Sequence, residues 1–252
     1  MSFDVAAEAY DRYMGRYSRL LSGQLADLAS VGRGQRVLDV GCGTGALTGE
    51  LVGRLGPSAV AAIDPSEPFV AATLARYPGV DVRQAPAERL PFPDDAFDAV
   101  LAQLVVHFMK DPDAGITEMA RVTRRDGVVA ACVWDHAGSQ GPLRLFWETA
   151  RTLDPDVDDE SDLPGTREGH LAELFEAAGL REVAGSALSV SLEHPTFDGW
   201  WDPFTHGVGP AGDYLASLDA DRQAELHEAC RRKVLSEPFV VTAVAWAARG
   251  LV

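Results

Sequence analysis

The sequence predicts an α/β protein: a doubly wound, mostly parallel sheet with an antiparallel C-terminal strand and a helical, aromatic insert. Three observations predict it. Between residues 35 and 135, short apolar runs alternate with helix-periodic segments, as in repeated βα units. The stretch Arg36-Val37-Leu38-Asp39-Val40-Gly41-Cys42-Gly43-Thr44-Gly45 reads as a buried strand, a tight glycine turn and a helix start. Two late segments, 181–193 and 239–248, alternate apolar and polar residues, as an antiparallel pair at a sheet edge does.

In chain order, residues 4–29 read as helical, in two pieces broken near Gly15 and Gly23. Within them, Tyr10-Asp11-Arg12-Tyr13-Met14-Gly15-Arg16-Tyr17 is unusually aromatic and basic. It suits a helix packed on the sheet edge, or a flap whose Tyr10 or Tyr17 closes over a ligand. The first strand is 35–40, and a helix capped by Thr44 follows to about residue 55. Gly56-Pro57 stops it. The second strand, 59–63, ends in Asp64, and Pro65 to Pro68 start a helix that runs to Tyr77. A short strand, 80–83, leads into the proline-rich loop 87–93. Strand four is 97–102. Asp111-Pro112 opens a helix with Ile116, Met119, Ala120 and Val122 on one face. Asp126-Gly127 turns the chain into strand five, 128–133.

The second half reads differently. Residues 154–162 hold six acids, expected to form a solvated loop, because no histidine lies in the run and it lacks calcium-loop spacing. A helix is expected over 168–178. Between the two late strands lies the insert 194–236, with Trp200, Trp201, Phe204 and His206 followed by a helix over 219–235.

The charge balance narrows the partners. A net charge of −16 repels phosphate backbones and anionic membranes, so neither nucleic acid nor membrane is expected. Three cysteines with no CxxC indicate neither a disulfide framework nor a metal site, and fit a cytoplasmic location. Met1 to Val5 carry no basic region followed by an apolar core, so no leader is read there. The aromatic insert suits a dimer contact and a lid equally, so oligomeric state is not read.

The glycine turn alone leaves two ligands open. Gly41-x-Gly43-x-x-Ala46, with Asp64 downstream, also satisfies a dinucleotide fingerprint. Two features decide against it: the carboxylate of Asp39, two residues before Gly41, disfavours a pyrophosphate and suits a ligand bearing an ammonium and a sulfonium group, and an antiparallel strand pair follows the five βα units. An NAD-dependent oxidoreductase is therefore the lesser alternative.

Val37 to Gly45 resembles the first motif of class I S-adenosylmethionine-dependent methyltransferases, and Ala61-Ala62-Ile63-Asp64-Pro65-Ser66 resembles the second. Ala87 to Pro93 and Phe97 to Val100 resemble the third and fourth, and Glu118 to Gly127 the helix and turn before strand five. The nearest subgroup is type 11, akin to ubiquinone and menaquinone biosynthesis enzymes. The resemblance implies a Rossmann-like seven-stranded sheet in one domain over 1–252. Its parts are an N-terminal helical flap (1–30), a cofactor-binding core (30–135) and a substrate-covering insert or lid (194–236). It implies S-adenosylmethionine as cofactor, S-adenosylhomocysteine as product, and a small-molecule acceptor.

Carried over by position, Asp39 would meet the cofactor's amino-acid end. Gly41, Cys42, Gly43 and Gly45 would admit its methionine and ribose portions. Asp64 would accept the ribose hydroxyls. Pro65 and Ser66 would flank the adenine, with Ala87 and Glu88 at its edge. Gln103 and Leu104 would touch the methionine portion; Tyr17, from the flap reading of the N-terminal stretch, joins the expected cofactor contacts. One departure matters: many relatives carry Asp where Pro86 stands, which leaves the adenine amino group to Ala87 or Glu88. Asp126 also stands where proline is usual, which concerns only the turn.

Methyl transfer from a sulfonium is an in-line displacement whose leaving group is already activated. Alignment of the acceptor contributes about 7–11 kcal/mol. A general base adds about 10²–10⁴-fold. The candidate bases, in order, are His107 after strand four, His136 after strand five, and His206 on the insert. His107, Trp200, Trp201, Phe204 and His206 are the candidate acceptor contacts, suited to an aromatic or apolar molecule at an O, N or C nucleophile. A third alternative keeps the cofactor without methyl transfer, as a regulator or a cyclase.

Overall fold

A computed structural model describes residues 7–252. The helix start at residue 4 and the leaderless reading of Met1 to Val5 lie outside the described residues. The chain opens with α1 (Ala7–Tyr10), a π-helical turn (Asp11–Gly15) and α2 (Arg16–Leu28). The core follows as β1 (Val37–Val40), α3 (Ala46–Leu55), β2 (Val60–Asp64), α4 (Glu67–Arg76), β3 (Asp81–Gln84), β4 (Phe97–Gln103), α5 (Pro112–Val122) and β5 (Thr123–Trp134). The second half adds α6 (Arg144–Leu153), α7 (His170–Ala177), β6 (Arg181–His194), α8 (Phe197–Trp201), α9 (Gly209–Ser217), α10 (Ala220–Lys233) and β7 (Phe239–Leu251).

The seven strands lie in the order β3-β2-β1-β4-β5-β7-β6. β1 pairs in parallel with both β2 and β4, and β4 with β5. β7 is antiparallel to both neighbours, so it alone reverses the sheet. The order turns back between β1 and β4, and such a switch point leaves a crevice beyond the strands' carboxyl ends.

Strand alternation explains the two cores. Val37, Leu101, Ala130 and Cys132 face the layer of α2, α3 and the insert. Leu38, Val100, Val129 and Ala131 face the layer of α5 and α7. Both faces are covered, which is why these strands read as nearly continuous apolar runs.

Three points differ from the expectation. Gly23 does not break the N-terminal helix, since α2 runs through it. The irregularity is the π turn ending at Gly15, where an added Cβ would stand 2.8 Å from an Asp11 oxygen. Thr44 does not cap α3: its hydroxyl donates to Asp11, and Gly45, in the left-handed region, occupies the capping position. Helix α6 had no counterpart in the sequence reading, and it carries Phe146 and Trp147 into the core. Among the described residues, no helix is long and apolar enough to cross a membrane.

Candidate functional site

The crevice holds a cavity of about 600 Å³, within the range that encloses a nucleoside-sized ligand. The turn after β1 supplies Gly41 and Gly43, and the end of β2 supplies Ile63, Asp64, Pro65 and Ser66. Pro86, Ala87 and Glu88 come from the loop after β3, and Gln103, Leu104 and Val105 from the end of β4. Tyr10 and Phe69 close one side, and Met109 and Lys110 another.

The glycine turn is shaped by close approach. Gly41 has φ +73°, and an added Cβ would stand 2.1 Å from Val105. Its amide and that of Cys42 both donate to the Ile63 carbonyl at 2.8 Å, which draws the turn against β2. Asp64 locks it from the other side, accepting from the Gly43 amide at 2.8 Å and the Ser66 amide at 2.9 Å. An ionised carboxylate offers about four acceptor sites, so about two remain for a ligand. Burial pushes the Asp64 carboxyl above its ordinary range, against the pull of these two amides.

Asp39 lies beneath the turn, 1 % exposed, and does not reach the cavity wall. Its Oδ2 accepts from the Thr48 hydroxyl at 2.6 Å, and its Oδ1 is buried without a partner. Burial pushes this carboxyl up to about 7, opposed by the Thr48 bond. A buried carboxylate oxygen with nothing to accept is costly. A cationic group brought close to the turn would offset that cost.

Of the residues expected at a cofactor, Gly41, Gly43, Asp64, Pro65, Ser66, Ala87, Glu88, Gln103 and Leu104 line this cavity. Asp39, Cys42, Gly45 and Tyr17 do not. The Cys42 thiol turns toward Thr73, 3.9 Å away, and Gly45 faces the Tyr77 ring of the α4 end. Tyr17 is buried under β6, its hydroxyl 2.7 Å from His194 Nε2, because α2 turns that face to the sheet. Tyr10, on the other side of the π turn, lines the cavity instead. Glu88 also serves the fold: one of its oxygens accepts from the Lys110 amide at 2.7 Å.

A second cavity, of about 30 Å³, shares Tyr10, Leu104 and Phe108 with the first. Tyr13, Met14, His107, Trp134, His136, Leu143 and Glu160 line it, with Val208, Gly209 and Pro210 from the insert. His107 follows β4 and His136 follows β5, and their rings stand 6.1 Å apart. Burial first, and His136 second, hold the His107 imidazole well below its ordinary range.

Glu160 lines this cavity although its sequence context does not single it out. It lies in the acidic run expected to be solvated, yet it is 3 % exposed and its Oε2 accepts from the Trp147 indole at 3.0 Å. Nothing in the local sequence separates it from its five acidic neighbours; only the helix α6 beneath it does.

The insert does not supply the expected contacts. Trp200, Trp201 and Phe204 are buried away from both cavities. Phe204 stacks on Phe146 at 4.7 Å and meets Trp200 at 5.0 Å. They form the insert's own core, because α6 brings Phe146 and Trp147 up to meet them. His206 is surface-exposed, 3.3 Å from Asp202, and is in neither cavity.

A family profile described as "Methyltransferase domain" matches residues 38–131, the segment that carries the glycine turn and the His107 loop and ends within β5. The malonyl-[acyl-carrier protein] O-methyltransferase of Erwinia billingiae (strain Eb661) is 33% identical over 186 residues, covering 62% of this chain and 73% of that protein. The 2-methyl-6-phytyl-1,4-hydroquinone methyltransferase 2, chloroplastic, of Oryza sativa subsp. japonica is 40% identical over 160 residues, 63% of this chain. The match spans only 42% of the rice protein's length. Among solved structures, Haemonchus contortus phosphoethanolamine N-methyltransferase 2, in complex with phosphomonomethylethanolamine and S-adenosylhomocysteine, aligns with a TM-score of 0.59 at 16% identity, covering 97% of this chain and 56% of that one. At that identity the likeness concerns the fold.

Proposed function

This chain belongs to the type 11 branch of the class I S-adenosylmethionine-dependent methyltransferases, and from that premise we propose that it transfers a methyl group to a small-molecule acceptor. The observation that carries the reading is the pair of cavities with a common wall: Tyr10, Leu104 and Phe108 line both. Two reactants held across such a wall meet without diffusing, and that proximity contributes about 7–11 kcal/mol.

S-adenosylmethionine, when bound, supplies an electrophilic methyl group on a positively charged sulfur. The chain's part is to hold that ligand and to orient the acceptor. Gly41 and Gly43 admit it close to the backbone, and the unpartnered Oδ1 of Asp39 would balance its ammonium group. Asp64 would accept from the ribose hydroxyls with the capacity its two amide partners leave over. Pro86 lines the cavity where an adenine-reading carboxylate is usual, so the backbone at Ala87 and the Glu88 side chain would serve the base. His107 and His136 are the polar groups set to meet the acceptor's nucleophilic atom.

The acceptor is a small molecule. The hydroquinone in the rice relative's name is of the apolar, aromatic kind that Tyr13, Met14, Trp134 and Leu143 would face. A cavity of about 30 Å³ is too small for such a ring, so the acceptor enters when the π turn and the loop Val208 to Pro210 move apart. The chain's net charge of −16 favours neither nucleic acid nor an anionic membrane.

Calorimetry with S-adenosylmethionine, S-adenosylhomocysteine and NAD tests the ligand. Binding of the first two and not the third is expected; the reverse pattern makes the protein an oxidoreductase. A metabolite extract incubated with methyl-labelled S-adenosylmethionine is expected to yield a labelled small molecule. Tight binding with no labelled product would favour a regulator or a cyclase.

A further inference from the structure

We infer that His107, His136 and Glu160 form a binding site for a divalent transition-metal ion at the floor of the acceptor cavity. Among the described residues they are the one group of three potential metal-ligating side chains placed together, with one ligand atom from each within 4.8 Å of the others. All three are buried, at 4 %, 6 % and 3 % exposure. They come from three separate loops, after β4, after β5 and after α6, so the fold brings them together.

Their contacts leave them available to an ion. His136 Nε2 and Glu160 Oε1 stand 3.8 Å apart, too far for a hydrogen bond. Two ligands at metal bonds of about 2.0–2.2 Å lie roughly 3–3.5 Å apart, so small side-chain adjustments complete the site. The Trp147 indole donates to Oε2 of Glu160 and leaves Oε1 directed at His136, the outer bond that fixes a carboxylate ligand. No arginine or lysine is paired with Glu160 among the described ion pairs. A buried carboxylate needs compensating positive charge, and a divalent ion supplies it.

A second observation points to an occupant of the same cavity. The Tyr13 hydroxyl, His107 Nδ1 and Trp134 Nε1 are all buried without a hydrogen-bond partner, and all three residues line it. Its volume of about 30 Å³ accommodates an ion with a water or one small polar group. Two imidazoles and one carboxylate select zinc, iron(II) or cobalt(II) over magnesium or calcium, which prefer oxygen ligands throughout. Three protein ligands leave further coordination positions, which face the cavity and take an oxygen of the acceptor. That last step rests on the proposed methyl transfer; the ion site does not.

The test uses the full chain, stripped with a chelator and titrated with Co²⁺. One equivalent is expected to bind, with visible d–d absorption bands and two hyperfine-shifted, exchangeable imidazole N–H proton signals, one per histidine. His136→Gln and Glu160→Gln are expected to lose affinity at least tenfold, and Trp147→Phe about 10–100-fold. S-adenosylhomocysteine binding, measured on the same samples, reports whether each variant is folded. No uptake of Co²⁺ by the wild type, or uptake without two shifted imidazole signals, overturns the site, as does equal affinity in the folded variants. If the wild type binds Co²⁺ in this way but not S-adenosylhomocysteine, the proposed methyl transfer fails and the metal site stands.

Discussion

Two buried side chains, Asp39 and His107, each carry an expectation. The Asp39 carboxyl is pushed up to about 7 by burial, against an ordinary 3.8. A cation brought beside it favours the ionised form, so ligand binding releases a proton below pH about 7. S-adenosylmethionine affinity is therefore expected to weaken as pH falls from 7.5 to 6, by up to about tenfold per unit. Asp39→Asn is expected to bind more weakly and to flatten that dependence, as calorimetry at several pH values will read. Without ligand the sign differs. A carboxyl raised above its unfolded value costs stability as pH climbs from about 4 through 7, and denaturant melts should show that slope lost in Asp39→Asn. His107 calls for a separate test. His107→Ala is expected to slow methyl transfer about 100-fold or more while leaving S-adenosylhomocysteine affinity within a fewfold, because the residue lines the small cavity alone. Equal loss of both would mean that it holds the fold.

At the scale of elements, the N-terminal segment stands out. Tyr10 borders both cavities, and the π turn Asp11–Gly15 sets Tyr13 and Met14 over the smaller one. π-helical turns concentrate at functional sites, since the extra residue re-aims a helix face. Its outer side is held by Asp11, which accepts from Thr44 and pairs with Arg76 at 2.7 Å, so the segment is fastened to the glycine turn and to α4. S-adenosylhomocysteine is expected to slow amide exchange in residues 7–15 far more than in β1, β4 or β5, whose amides already lie in the central sheet. Unchanged exchange in 7–15 would deny the segment a role as a flap.

At the scale of the molecule, the insert and the sheet are one packed body. Phe204 stacks on Phe146 of α6 and meets the Tyr13 ring edge-on at 5.3 Å, so the insert is joined to the N-terminal segment that borders the sites. Phe204→Ala is expected to cost about 3–5 kcal/mol in one cooperative denaturant transition. Excising 196–232 would expose this aromatic cluster and is expected to lower solubility and stability, with cofactor binding lost as a consequence of unfolding. A folded, cofactor-binding product of that excision would make the insert a removable lid.

The sequence by itself determined the βα order, the glycine turn and most of the residues around the larger cavity. Those signals are local: strand alternation, positive-φ glycines and a carboxylate at a strand end act within a few residues of each other. The tertiary structure alone decided the rest. Tyr10 and Tyr17 lie in one aromatic stretch, and only the turn of the helix on the sheet sends one to the cavity and the other to His194. Trp200, Trp201 and Phe204 read as a binding face until α6 supplied the partners that bury them. Glu160 looked like its acidic neighbours until Trp147 and two histidines from distant loops enclosed it. Contacts between residues far apart in the chain leave no periodic trace in it, so the larger cavity was legible in advance and the smaller one was not.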